Sequence, residues 1–171
     1  MLRRSSLLAL LVALVLLPAS DSRAAPVRQP NSLALGLMIG NPLGISGKFW
    51  LGGSDAVDIG VGAGPGLRLQ GSYLWGLAQL LSNPRDAQLD FYVGAGALVG
   101  GGGGYCGFYG RWGYHRCGGG AYVGARIPVG IDLRLREAPL SFALELAPGV
   151  ALGADRAGAL LDGILYARVV L

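Results

Sequence analysis

The sequence predicts an all-β protein, an eight-stranded antiparallel up-and-down barrel, and three observations carry that prediction. From residue 33 onward the dominant hydrophobic period is two, the period of a strand with one apolar face. No stretch of about 20 uninterrupted apolar residues follows residue 33, so no segment there is built as a spanning helix. The alternating runs number eight, an even count, and the connections between them are mostly short and rich in Gly, Asn, Asp and Pro.

Residues 1–25 stand apart from this pattern. Arg3 and Arg4 precede the apolar run Leu7 to Leu17, Pro18 breaks it, and Arg23-Ala24-Ala25-Pro26 supplies small residues. This layout is that of a secretory signal peptide, with cleavage expected near Ala24 or Ala25, and the run is too short to cross a bilayer as a helix. Residues 26–171 are then expected to form a single domain. The chain has 14 Lys and Arg against 10 Asp and Glu, a formal net charge of +4, and half of that excess goes with residues 1–25. The remaining basic residues alternate with acids instead of forming a stripe, which argues against a nucleic-acid partner.

Eight strands are expected at 33–40, 44–51, 55–63, 66–75, 88–100, 119–135, 139–149 and 160–171. The first two flank Gly40-Asn41-Pro42-Leu43-Gly44, a turn signal. In the third, Val57, Ile59 and Val61 alternate with Asp58, Gly60 and Gly62. The fourth alternates Leu67, Leu69 and Gly71 with Arg68, Gln70 and Ser72, and the fifth sets Leu89, Phe91 and Val93 against Asp90, Tyr92 and Gly94. The sixth, Val123 to Leu135, shows the pattern most strongly: every charged group has one parity and the other is Val, Ala, Ile or Leu. Pro128 lies inside it and lacks a ladder donor, which suggests a bulge. Leu140 to Leu146 and Leu165 to Leu171 complete the set. The longest connection, 101–118, carries a four-Gly run without the strand-to-helix setting or Lys-Ser/Thr ending of a phosphate-binding loop. The next, 76–87, is long enough for a short helix.

The character of the second parity decides which face meets what. A water-facing strand surface carries many Lys, Glu, Thr and Ser; here the polar parity is Gly60, Gly94, Gly96, Gly124, Gly130 and Ala143 with single charges between them. Small residues suit a crowded inner face. The charged groups expected inside are Lys48, Asp58, Arg68, Asp90, Arg126, Asp132, Arg134, Glu145 and Arg168, with Gln70: four acids, five bases and one amide. In a narrow interior such groups must pair, because an isolated buried charge is very costly. The opposite parity is uncharged and apolar and matches lipid better than water, which makes the expected barrel a transmembrane one. Trp50, Tyr73, Trp75 and Tyr166 fall near strand ends, where interfacial aromatics sit, although packing in the core explains any one of them equally well.

Gly40-Asn41-Pro42-Leu43-Gly44-Ile45-Ser46-Gly47-Lys48-Phe49-Trp50, Gly124-Ala125-Arg126-Ile127-Pro128-Val129-Gly130 and Glu145-Leu146-Ala147-Pro148-Gly149 stand in this order along the chain. With them the sequence resembles the small eight-stranded outer-membrane barrels of Gram-negative bacteria, of the OmpX and OmpA transmembrane-domain type, and a widespread group of small bacterial outer-membrane β-barrel proteins. Such barrels often end in Phe or Trp, whereas this chain ends Val170-Leu171. The resemblance implies an outer-membrane location, both termini on the periplasmic side and the 101–118 connection outside, with no established catalytic residues.

Cys106 and Cys117 lie in that connection. In an exported chain they are expected to form a loop-closing disulfide, since His115 would complete only three candidate metal ligands. No catalytic, cofactor or metal residues are expected. His115 is the sole imidazole, and no Ser lies in 101–118. The leading expectation is a monomeric, non-enzymatic outer-membrane barrel with a plugged interior, in contact with membrane lipid and binding any surface ligand through 101–118. The alternatives are a soluble periplasmic or secreted lipocalin-like barrel, with Ile127, Val129 and Ile131 lining a cavity for an apolar ligand, and a lipid-modifying enzyme.

Overall fold

Alternation from residue 33 onward is realised as strand in every run that shows it. The structure, a computed structural model, describes residues 32–64, 66–82, 87–102, 105–109, 113–116, 120–135, 138–153 and 157–171, with the backbone alone at Ser82 and in 105–109 and 113–116. The strands are β1 (Leu33–Gly40), β2 (Leu43–Gly52), β3 (Asp55–Ala63), β4 (Leu67–Ser82), β5 (Ala87–Gly101), β6 (Tyr105–Tyr109), β7 (Gly113–Arg116), β8 (Tyr122–Arg126), β9 (Val129–Leu135), β10 (Leu140–Gly153) and β11 (Ala157–Val170). There is no helix among the described residues.

Consecutive strands pair antiparallel. β8 and β9 together fill one place between β5 and β10, and β11 pairs with both β10 and β1, so the sheet closes in a ring of eight strands. Closure gives each strand a hydrogen-bonding partner on both sides and removes the unpaired edge that an open sheet presents. The ring is staggered. Partners followed from Leu35 through Gly47, Ile59, Gly71, Ala97, Ala125 and Val150 arrive at Ala159 on β11, beyond Ile164, the last β11 residue paired with β1. Strands in a closed sheet must tilt in this way, which winds the inward positions into a spiral and sets side chains of distant strands level with one another.

Local chemistry explains the turns. β1 passes to β2 through Asn41-Pro42, joined by a cis peptide bond, and Gly40 takes φ +143°, a value that side-chain-bearing residues rarely adopt. The β2–β3 turn likewise needs Gly53, at φ +60°. The β1–β2, β3–β4 and β10–β11 connections lie with the β5–β8 connection at one end of the ring, and the start of β1, at Ser32, lies with the C-terminal Leu171 at the other, the terminal end.

Three features differ from the sequence expectation. The 76–87 connection holds no described helix: β4 runs on to Ser82, which pairs with Gln88 of β5, bulging between Gly76 and Ala78 and between Gln79 and Leu81. Those bulges override the period of two, so that Leu77, Leu80 and Leu81 are all turned outward. The 101–118 connection contains the two-stranded sheet β6–β7, and β6 lies against β11. Pro128 interrupts the sixth strand without a bulge, since β5 keeps one register across the break, from Gly96–Arg126 to Val93–Val129. The ladder tolerates it because Gly94 N–H donates to Pro128 O (2.7 Å) and Ile127 N–H donates to Pro148 O (2.8 Å), while Gly94 leaves room for the buried ring.

Glycine on the inner wall makes the interior fit. A Cβ on Gly130 would lie 2.6 Å from Tyr92 Oη and 2.5 Å from Leu144 O. Gly130→Ala is therefore expected to displace Tyr92 and lower the free energy of unfolding by about 1–3 kcal/mol, the usual cost of overpacking, seen as a lower urea midpoint with unchanged strand content by circular dichroism. An unchanged midpoint would contradict this packing.

Candidate functional site

The inward parity delivers its charges to a closed space about as wide as its own side chains. Lys48, Asp58, Arg68, Asp90, Arg126, Asp132, Glu145 and Arg168 are all buried inside the ring, as expected, and Arg134 is half-buried there. Asp162, buried on β11, belongs with them, although the sequence reading passed over it. The interior thus holds five acids and five bases among the described residues, so its formal charge cancels.

Ion pairs among the described residues brace the ring, and those of Lys48, Arg68 and Arg168 join strands that are not neighbours. Near the end that carries the termini, Lys48 on β2 pairs with Asp132 on β9, directly across the bore, and Ser141 Oγ donates to the second Asp132 oxygen at 2.7 Å. Arg168 on β11 pairs with Asp58 on β3 and donates from Nε to Ser46 Oγ at 2.9 Å. Toward the other end Arg68 on β4 holds Asp162 on β11 through both terminal nitrogens, Nη1 at 3.0 Å from Oδ1. At mid-height Arg126 on β8 pairs with Glu145 on β10.

Aromatic rings fill the space between these charges. Tyr92 and Tyr166 both donate to Glu145, at 3.0 and 3.1 Å, so that carboxylate carries three donors. The Arg168 guanidinium lies 3.9 Å from the Tyr166 ring centroid, Arg134 lies 4.0 Å from that of Trp50, and Lys48 Nζ lies 4.8 Å from that of Tyr92. A cation over a ring face gains about 0.5–2 kcal/mol, most where water is excluded. Gln88 donates to both oxygens of Asp90, at 3.1 and 2.9 Å. Apolar contact inside is confined to three small clusters: Ala34, Trp50, Ala56, Leu74 and Tyr92; Met38, Ala143, Ile164 and Tyr166; and Leu98, Ala151 and Leu160.

Trp50 and Tyr166, considered above for an interfacial belt, are thus interior residues. Tyr73 and Trp75 do face outward, their ring centroids 5.3 Å apart, with Tyr73 Oη donating to Asp55 at 2.7 Å. Ile127 and Ile131 stand exposed on the outer face, so they do not line an internal cavity as a soluble ligand-binding barrel would require. The outer face also carries an apolar recess over Gly47, rimmed by Leu35, Leu37, Ile45, Ile59 and Val61. The Cys106–Cys117 pairing and the side chain of His115 lie outside the described residues.

Chemically, this arrangement braces. Each interior carboxylate accepts from at least one donor, which holds it in place. Among the described residues, no group of three His, Cys, Asp and Glu is placed to hold a metal ion.

Glu145 is the hub, so its loss should cost more than the loss of any one donor. Arg126→Leu and Glu145→Leu are each expected to lower the unfolding free energy by about 3–5 kcal/mol. Glu145→Leu should be the worse, because it also strands the two tyrosine hydroxyls, and the double variant should lose clearly less than the sum. A urea-unfolding double-mutant cycle measures this, and additive losses would show that the pair is not coupled.

No family model, curated protein or solved structure matches this chain.

Proposed function

We propose that the ring is a transmembrane β-barrel of a Gram-negative outer membrane, exported by the signal peptide at 1–25. It is monomeric and non-enzymatic, with a plugged polar interior and a structural or surface-binding role through the connections at the end opposite the termini. One observation carries the reading: the distribution of polarity is inverted relative to a water-soluble domain. The interior holds ten charged side chains, whereas the outward positions of the eight ring strands carry one, Asp55 at the very start of β3.

The outer face is apolar on all sides. Leu35, Ile45, Ile59, Leu69, Val99, Ile127, Leu144 and Leu165 run around the ring, and Ile45 reaches 63% exposure. A monomeric soluble protein rarely presents a contiguous apolar surface beyond a few hundred Å², whereas a membrane barrel requires an apolar band. Tyr73 and Trp75, with apolar ring edges and polar atoms, suit the membrane–water boundary at the end bearing the termini. In this orientation the 101–118 connection faces outside, where Cys106 and Cys117 meet an oxidising compartment and close a loop.

Three experiments test the proposal. The protein should fractionate with detergent-extracted outer membrane and migrate faster on gels unheated than boiled, and Ile59→Arg should destabilise it by about 2–4 kcal/mol in lipid, the cost of a cation facing mid-bilayer. Recovery of folded protein in the soluble fraction, or an Ile59→Arg variant as stable as the parent, would refute the membrane reading. Proteoliposomes should show no sugar or ion flux above that of empty vesicles; robust flux would refute the plugged interior.

A further inference from the structure

In the half of the bore far from the termini, several interior polar groups end without a partner. Arg126, 2% exposed, uses Nη2 for Glu145, while its Nε and Nη1 make no hydrogen bond. Arg68 Nε and Gln70 Oε1 are in the same condition, although both residues are more than nine-tenths buried. Buried polar groups in folded proteins are ordinarily satisfied, by ordered water when protein supplies no partner.

These groups lie together. Gln70 Nε2 is 3.5 Å from Tyr166 Oη, and Tyr166 Oη donates to the same Glu145 oxygen that holds Arg126. Along the wall Gln70 pairs with Leu98 and Leu98 with Gly124, while Arg126 pairs with Gly96, which pairs in turn with Ser72. Arg68 is the next inward residue on β4. The cluster of Leu98, Ala151 and Leu160, with Tyr122 against it, packs beside them, Leu98 being the register partner of Gln70.

We infer that these groups together form a binding site for water inside the ring. The three arginine N–H groups call for acceptors and Gln70 Oε1 calls for a donor, and water supplies both. A halide would take the donors but leave Gln70 Oε1 facing a negative charge, and the balanced interior has no surplus cation to offset it. The site goes beyond the proposed function and stands whether the outer face meets lipid or not, so the fractionation experiment and this one fail separately.

The test is water–protein cross-relaxation by NMR on the full chain labelled with ¹⁵N-arginine, with the Nε–H signals of Arg126 and Arg68 assigned through Arg126→Lys and Arg68→Lys. Both signals should show the cross-peak sign of a long-lived bound water, and Gln70→Leu, which removes the acceptor, should weaken the Arg126 cross-peak. Sodium bromide titrated against the unsubstituted protein should leave both signals in place. No water cross-peak at Arg126, or a saturable bromide-dependent shift there, would overturn the assignment. Because those two readings use the unsubstituted protein, they decide the question even where Gln70→Leu fails to fold.

Discussion

A charge turned inward by a strand of a closed eight-membered ring must find its counter-charge inside the bore, and the rest of this interior follows from that. Water cannot solvate it freely, and an uncompensated buried ion costs several kcal/mol even after relaxation. The chain answers with five acids against five bases and with pairs that reach over the ring, β2 to β9, β4 to β11 and β3 to β11. Such pairs cross-link walls that backbone hydrogen bonds connect only by way of intervening strands. The hydrogen-bond ladder fixes the circumference, and the ion pairs fix what lies inside it.

The same constraint accounts for the glycine. A bore this narrow cannot hold large side chains on every strand at one level, so each long residue needs a bare place on the facing or neighbouring wall. Gly130 leaves room for Tyr92, Gly94 for Pro128, Gly100 for Tyr122, and Gly60 and Gly62 for Met38. The 31 glycines of the chain are therefore as much a packing feature of the interior as a property of its turns.

Parity along each strand was readable because a period of two assigns every residue to one of two faces, and it placed nine interior charges without reference to any partner. It extends to residues the reading left out or left open: Asp162 shares its parity with Arg168, Trp50 with Lys48, and Tyr166 with Arg168, so the same rule puts all three inside. Which charge meets which was not readable. That depends on the stagger accumulated around the whole ring, a quantity that no single strand encodes. The bulged end of β4 escaped for a related reason, since Leu80, turned outward beside Leu81, breaks the period of two. Pro128 misled in the opposite direction, because its compensation, Gly94, lies on another strand.

The inverted polarity also bears on where this fold draws its stability. A domain in water is held chiefly by the apolar surface it removes from solvent, and here the buried apolar residues form only three small clusters separated by ion pairs. Thirty large hydrophobic side chains among the described residues remain exposed instead, nearly all of them on the ring strands, and each half-exposed Leu or Ile forgoes on the order of 1 kcal/mol of burial for as long as it faces water. An interior of ion pairs and cation–ring contacts supplies specificity of arrangement more readily than net stabilisation, because much of what such pairs return has already been spent on desolvating them. The missing hydrophobic contribution falls to whatever covers the outside, and on the membrane reading proposed above a hydrocarbon phase would cover every side of the ring at once.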